Sequence, residues 1–133
     1  MDRLTCHCGQ VSVTPARRPE YINACNCSLC RKSGAWWAYF HPDEVAVAGE
    51  TAGYCRADKP EPNAEVRFCP RCGATTHFVL TAAAVAKHGN TMLGVNMALA
   101  DERDLAGLEL RYPDGQAWQG EGAFGYVKAA WRL

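Results

Sequence analysis

Cys25-Asn26-Cys27-Ser28-Leu29-Cys30 carries three thiols within six residues, so the local backbone can wrap one metal ion without help from elsewhere. Thiols at i and i+2 point the same way in extended chain. The third thiol, at i+3 from the second, needs a helical turn. The stretch therefore predicts a strand over 21–25 running into a short turn over 28–33, closed by Gly34 as C-terminal cap. Outward from it lie Cys6-His7-Cys8-Gly9 and Cys69-Pro70-Arg71-Cys72-Gly73. Seven clustered thiols are too many for one tetrahedral zinc and one short of filling two. A structural zinc takes four ligands, whereas a catalytic zinc keeps three and leaves one position open. Four plus three predicts two zinc ions per chain, one closed and one open.

The closed site is built from pairs. Cys69 and Cys72 approach a metal from a tight turn, and Gly73 frees the backbone after it for positive φ. Redox motifs share the CxxC spacing, but they open a helix, and residues 75–80 read as a strand. Cys6 and Cys8 in extended chain can face one ion, and Gly9 permits a turn after them. Joined to Cys69 and Cys72 they form a staple from the N-terminus to mid-chain. The alternative leaves them as loose thiols. At Cys25, Cys27 and Cys30 the fourth position could hold water, hydroxide or an incoming thiolate, since zinc generates nucleophiles at neutral pH. The alternative there is a second closed site completed by Cys55 or a histidine. Cys55 otherwise reads as buried and inert. His7 points away from the metal, His41 and His88 sit at turns, and His77 in its strand is core, ligand or acid/base.

Composition narrows the classes. At 133 residues, 48% of them hydrophobic, residues 1–133 read as one folded domain. Lys plus Arg equals Asp plus Glu, 14 of each, with no basic stripe, which argues against nucleic acid. No apolar run approaches the ~20 residues that span a bilayer. Cys6 follows Met1–Thr5 directly, leaving no room for an export signal, so the expected location is cytoplasmic. Reduced thiols at metal-ligand spacing there are better read as zinc ligands than as disulfides.

Short β-branched and aromatic runs bounded by Gly, Pro, Asn or Asp predict strands at 10–14, 21–25, 35–40, 45–48, 65–68, 75–80, 91–96 and 122–128. The polar stretch 58–63 reads as a loop between two strands. Helical signal is limited to 28–33, to 99–105 with Asp101 or Asp104 as cap, and to the alanine-rich 82–87, too short to decide. The class is mainly β, with a thin core to which metal would contribute directly. Arg31 and Lys32 follow the third thiol and could meet a carboxylate of a peptide-like thiol. Alternation places Trp36, Ala38 and Phe40 on one face and Trp37 with Tyr39 on the other, one face packing and the other lining a cleft. Trp37 is thus a candidate substrate contact, or else simply core.

The order CHCG, CNCSLCRKSGA, FCPRCGATTHF resembles the glutathione-dependent formaldehyde-activating enzyme (GFA/CENP-V) domain family, from Cys6 to the near-terminal Ala130-Trp131. The resemblance implies a β-tent of short antiparallel sheets organised around zinc. It also implies structural zinc on Cys6, Cys8, Cys69 and Cys72, and catalytic zinc on Cys25, Cys27 and Cys30. The implied activity is that of a carbon–sulfur lyase joining formaldehyde to glutathione, as S-(hydroxymethyl)glutathione synthase does. Its partners are then a small thiol such as glutathione and an aldehyde. A zinc-scaffolded binding module without chemistry is the competing class. A redox enzyme such as a methionine sulfoxide reductase needs a reactive cysteine late in the chain, and none follows Cys72.

Overall fold

A computed structural model describes residues 1–130. Ten short strands follow one another: β1 (Leu4–Thr5), β2 (Ser12–Pro15), β3 (Tyr21–Asn23), β4 (Trp37–Phe40), β5 (Val45–Ala48), β6 (Ala52–Cys55), β7 (Ala64–Phe68), β8 (Thr75–Leu80), β9 (Leu93–Asn96) and β10 (Glu109–Arg111). Three short helices, α1 (Ser28–Ser33), α2 (Ala82–His88) and α3 (Glu102–Leu105), interrupt them. The strands form two sheets, β1-β2-β5 and β10-β3-β4-β9-β8-β7-β6, as the mainly β class and β-tent predict. Pairing is antiparallel save for β10, which runs parallel to β3. Among the described residues no helix is long and apolar enough to cross a membrane.

Period-two alternation in β4 sorts its residues between two environments. Ala38 and Phe40 enter the core between the sheets, with Leu4 and Val13 from one side and Ile22, Leu93, Val95 and Met97 from the other. Trp37 and Tyr39 face outward and pack with Val66 and Phe78 beneath Leu29 and Cys30 of α1. The Phe78 ring stands edge-on to Trp37 at 4.9 Å and to Tyr39 at 6.0 Å. It occupies the space a side chain on Gly94 would need. This outer face is the floor on which the three-thiol segment rests.

Several expectations need correction. Trp36 does not join Ala38 and Phe40; it precedes β4 and is 39% exposed. Its backbone is committed elsewhere, its N–H to Asn96 Oδ1 at 3.0 Å and its carbonyl to Met97 N at 2.7 Å. The expected strand at 122–128 reduces to a single bridge between Pro113 and Tyr126, in a stretch broken by Gly120, Gly122 and Gly125. The helical turn expected over 99–105 is the shorter α3, with Asp101 at the cap position but no side-chain cap bond, and Leu99 instead ends a 3-10 turn over Met97–Leu99. The alanine-rich segment does form a helix, capped by Thr81 Oγ1 accepting from Ala84 N at 3.2 Å. Trp131 lies outside the described residues.

Candidate functional site

The first cluster joins two glycine-closed turns. Gly9 N donates to Cys6 O at 3.0 Å and Gly73 N to Cys69 O at 2.9 Å, with φ of 82° and 78°. The sulfurs of Cys6, Cys8, Cys69 and Cys72 all lie within 4.8 Å of one another. Cys6 and Cys69 are buried against the fully buried Val11. Burial works against ionising Cys6, but the Val11 N–H at 3.2 Å and the neighbouring thiols outweigh it and hold its pKa below the ordinary thiol value. Backbone N–H groups of Ala74 and Cys8 bring Cys72 down to about 6. Four convergent sulfurs with N–H donors aimed at them suit a thiophilic metal.

The second cluster is assembled where β3 gives way to α1. Cys27 is the N-cap of α1, its Sγ accepting from Cys30 N at 3.3 Å, and Cys25 Sγ accepts from Cys27 N at 3.4 Å. Gly34, at φ 69°, ends α1 and donates its N–H to Cys30 O. The three sulfurs lie within 4.8 Å of one another. No fourth cysteine, histidine or carboxylate joins them among the described residues. Below them, the Trp37 indole N–H donates to Cys30 Sγ at 3.3 Å. Contacts from Cys25 and Cys30, followed by the Cys30 N–H and the Arg56 charge, drive the Cys27 thiol down, whereas Cys27 pushes Cys25 up and Cys25 and Cys27 together push Cys30 up. Three thiols this close cannot all ionise unless a cation balances them. The donor set therefore fits a metal as the balancing charge.

The sites expected from sequence are distributed unevenly around this cluster. Arg31 and Lys32 are exposed on the last turn of α1. Trp37 is 2% exposed and gives its one donor to Cys30, so it borders the cluster from beneath. Cys55 is exposed rather than buried, because β6 is the outer edge of its sheet. His7, His41 and His88 are exposed.

His77 is 4% exposed, and its Nδ1 shares a 2.9 Å hydrogen bond with the Thr76 hydroxyl. Burial, helped by the charge of Arg67 across the strand pair, lowers its pKa to about 4. The unfolded chain therefore binds a proton near pH 6.5 that the native protein refuses. The contribution is intact above about pH 6.5, falls as pH drops towards 4, and totals about 3 kcal/mol. Denaturant unfolding across that range should be less pH-dependent in His77→Gln than in the parent. Thiol protonation, common to both proteins, cancels in the difference.

Three residues at the cluster carry no local signal in the sequence. Arg56 is gripped by Asp58 through Nε at 2.7 Å and a terminal nitrogen at 2.8 Å, and that nitrogen also donates to Ser28 Oγ at 3.2 Å. This sets a guanidinium beside Cys27. Asn26, between two of the thiols, clasps residues 113–117: its Nδ2 donates to Asp114 Oδ1 at 2.8 Å, and its Oδ1 accepts from Gln116 N at 2.8 Å. The clasp lays Gly115 on Cys25 so closely that any side chain there would overlap the sulfur. The Asp114-Gly115 dipeptide signals a turn but not its destination. Gly115→Ala should weaken metal binding at the three-thiol cluster by about 10–100-fold, the usual cost of disturbing a ligand's support. Competition with a chromophoric chelator should find the four-thiol cluster unaffected.

The family model for the glutathione-dependent formaldehyde-activating enzyme matches residues 2–118. No curated protein matches the chain. Among solved structures, the crystal structure of a Rhodobacter sphaeroides protein is similar, at 26% identity and a TM-score of 0.60, covering 82% of this chain and 99% of that one. The matched span includes both sulfur clusters and the clasped segment over the three-thiol one, and the chain belongs to the glutathione-dependent formaldehyde-activating enzyme family.

Proposed function

We propose that residues 1–133 act as one cytoplasmic domain with a carbon–sulfur lyase-type activity on a thiol–aldehyde adduct, as in S-(hydroxymethyl)glutathione synthesis. Cys6, Cys8, Cys69 and Cys72 would hold a structural zinc, and Cys25, Cys27 and Cys30 a second, catalytic zinc. The observation that carries this reading is the contrast between the clusters: four convergent sulfurs in one, three and no fourth donor among the described residues in the other. Zinc at the three sulfurs would supply Lewis acidity, favouring the ionised form of a thiol near neutral pH.

The chain's own groups have clear parts. Arg56 offsets part of the negative charge of the cluster next to Cys27. The Trp37 N–H orients Cys30. Asn26 holds residues 113–117 against Cys25 and keeps water from that side. Arg31 and Lys32, exposed at the end of α1, would receive the carboxylates of a glutathione-like thiol. In the reaction the thiol sulfur bonds to the aldehyde carbon, the carbonyl π pair moves to oxygen, and the thiol's proton ends on that oxygen.

Metal analysis and cobalt substitution test the reading. Two metals per chain are expected, and glutathione should add sulfur-to-cobalt charge-transfer absorption at one of them. One metal per chain, or a spectrum indifferent to added thiols, would leave a zinc-stabilised binding module instead.

A further inference from the structure

Asn23, the last residue of β3 and two positions before Cys25, is 2% exposed. Its Oδ1 is the one buried side-chain oxygen or nitrogen among the described residues that has no hydrogen-bond partner. Its neighbours are engaged elsewhere. Across one edge, Asn23 pairs with Trp37, whose single donor goes to Cys30 Sγ at 3.3 Å. Across the other it pairs with Arg111, whose guanidinium is held by Glu109 at 2.9 and 3.0 Å and lies 3.7 Å over the Tyr21 ring. Paired residues on adjacent strands share a face, so Asn23 and Trp37 form the same floor, and Trp37 touches the three-thiol cluster. An unpaired buried amide oxygen weakens a fold. At this place, its natural partner is a donor that arrives with a ligand.

We propose that Asn23 is a substrate contact of the thiol–aldehyde reaction: its Oδ1 accepts a hydrogen bond from the hydroxyl created when the thiol adds to the aldehyde. The proposal rests on the reading of the preceding subsection. In the addition, the S–C bond forms, the C–O π bond breaks, and the thiol's proton completes the new O–H; in the reverse direction these changes are undone. Asn23 neither gives nor takes the proton. The carbonyl form of formaldehyde that the thiol attacks has no donor to offer, so the contact exists for the adduct and not for the reacting aldehyde. Such selective contact favours the adduct on the protein over its separated parts.

Asn23→Leu removes the polar atoms with little change of outline, and Asn23→Ala removes them without adding bulk should leucine crowd the floor. Three measurements on each variant are needed. Without substrate, the variant should melt at or above the parent temperature, because an unpaired polar group has been replaced by an apolar one. Glutathione affinity at the cobalt-loaded site should stay within about twofold of the parent, since a bound thiol makes no use of Asn23. The formaldehyde concentration giving half-maximal response with glutathione present should rise by about tenfold, the loss of one hydrogen bond. Unchanged formaldehyde dependence together with a lower melting temperature would overturn the proposal, making Asn23 a structural residue. If glutathione leaves the parent's cobalt spectrum unmoved, the thiol–aldehyde reading itself fails and takes this contact with it.

Discussion

Cys72→Ser should leave no cooperatively folded protein. Cys72 is one of four sulfurs that converge where the turn between β1 and β2 meets the turn between β7 and β8, so a metal held there would join one sheet to the other. Cys6 and Cys69 are buried there at 1% and 0% exposure, with little around them except Val11 and the other sulfurs. Metal bound at a structural site of this kind contributes roughly 10–16 kcal/mol of apparent free energy. A domain's whole stability is about 5–15 kcal/mol. Losing a ligand therefore removes a quantity comparable with the entire margin. Thermal melts of the variant should lack a sigmoidal transition and amide exchange should be fast throughout; a melting temperature within a few degrees of the parent would refute the staple.

On the proposed division of labour, Cys27→Ser should do the opposite: keep the fold, drop from two metals to one, and lower turnover by at least about a thousandfold, as loss of a catalytic group does. Cys27 caps α1 by accepting the Cys30 N–H. Serine is a stronger N-cap than most residues, so α1 should survive the exchange. The hydroxyl is a poor zinc ligand at neutral pH, and only two sulfurs remain. Melting temperature and metal content measured on one preparation decide the matter. If the variant collapses as Cys72→Ser does, the two clusters do not divide structural and chemical labour.

Much of this arrangement is legible in the amino-acid sequence, and the reason is locality. The three-thiol segment, the helix over Ser28–Ser33 and its Gly34 cap depend on contacts a few residues apart, and the structure reproduces them. Strands β5 and β8 match the expected bounds, since each is a short run rich in β-branched or apolar residues set off by turn residues, Asp43 and Gly49 around β5 and Gly73 before β8. β1 is too short to carry a pattern, and β10, Glu-Leu-Arg, is too polar. The aromatic run near residue 124 misleads, because Phe124 packs on Trp118 at 4.7 Å instead of entering a sheet. Arg56, Gly115 and the Asn26 clasp are invisible to a local reading because each depends on contacts between distant parts of the chain.

The Asn26–Asp114 bond spans 88 positions. Contacts of such separation form late, because the intervening chain must first be ordered. The cradle of three sulfurs should accordingly take shape while still unroofed, with residues 113–117 settling over it afterwards. Metal supplied to a refolding chain should thus enter the three-thiol cluster faster than metal offered to folded protein that lacks only that ion, so loading history leaves its mark on occupancy.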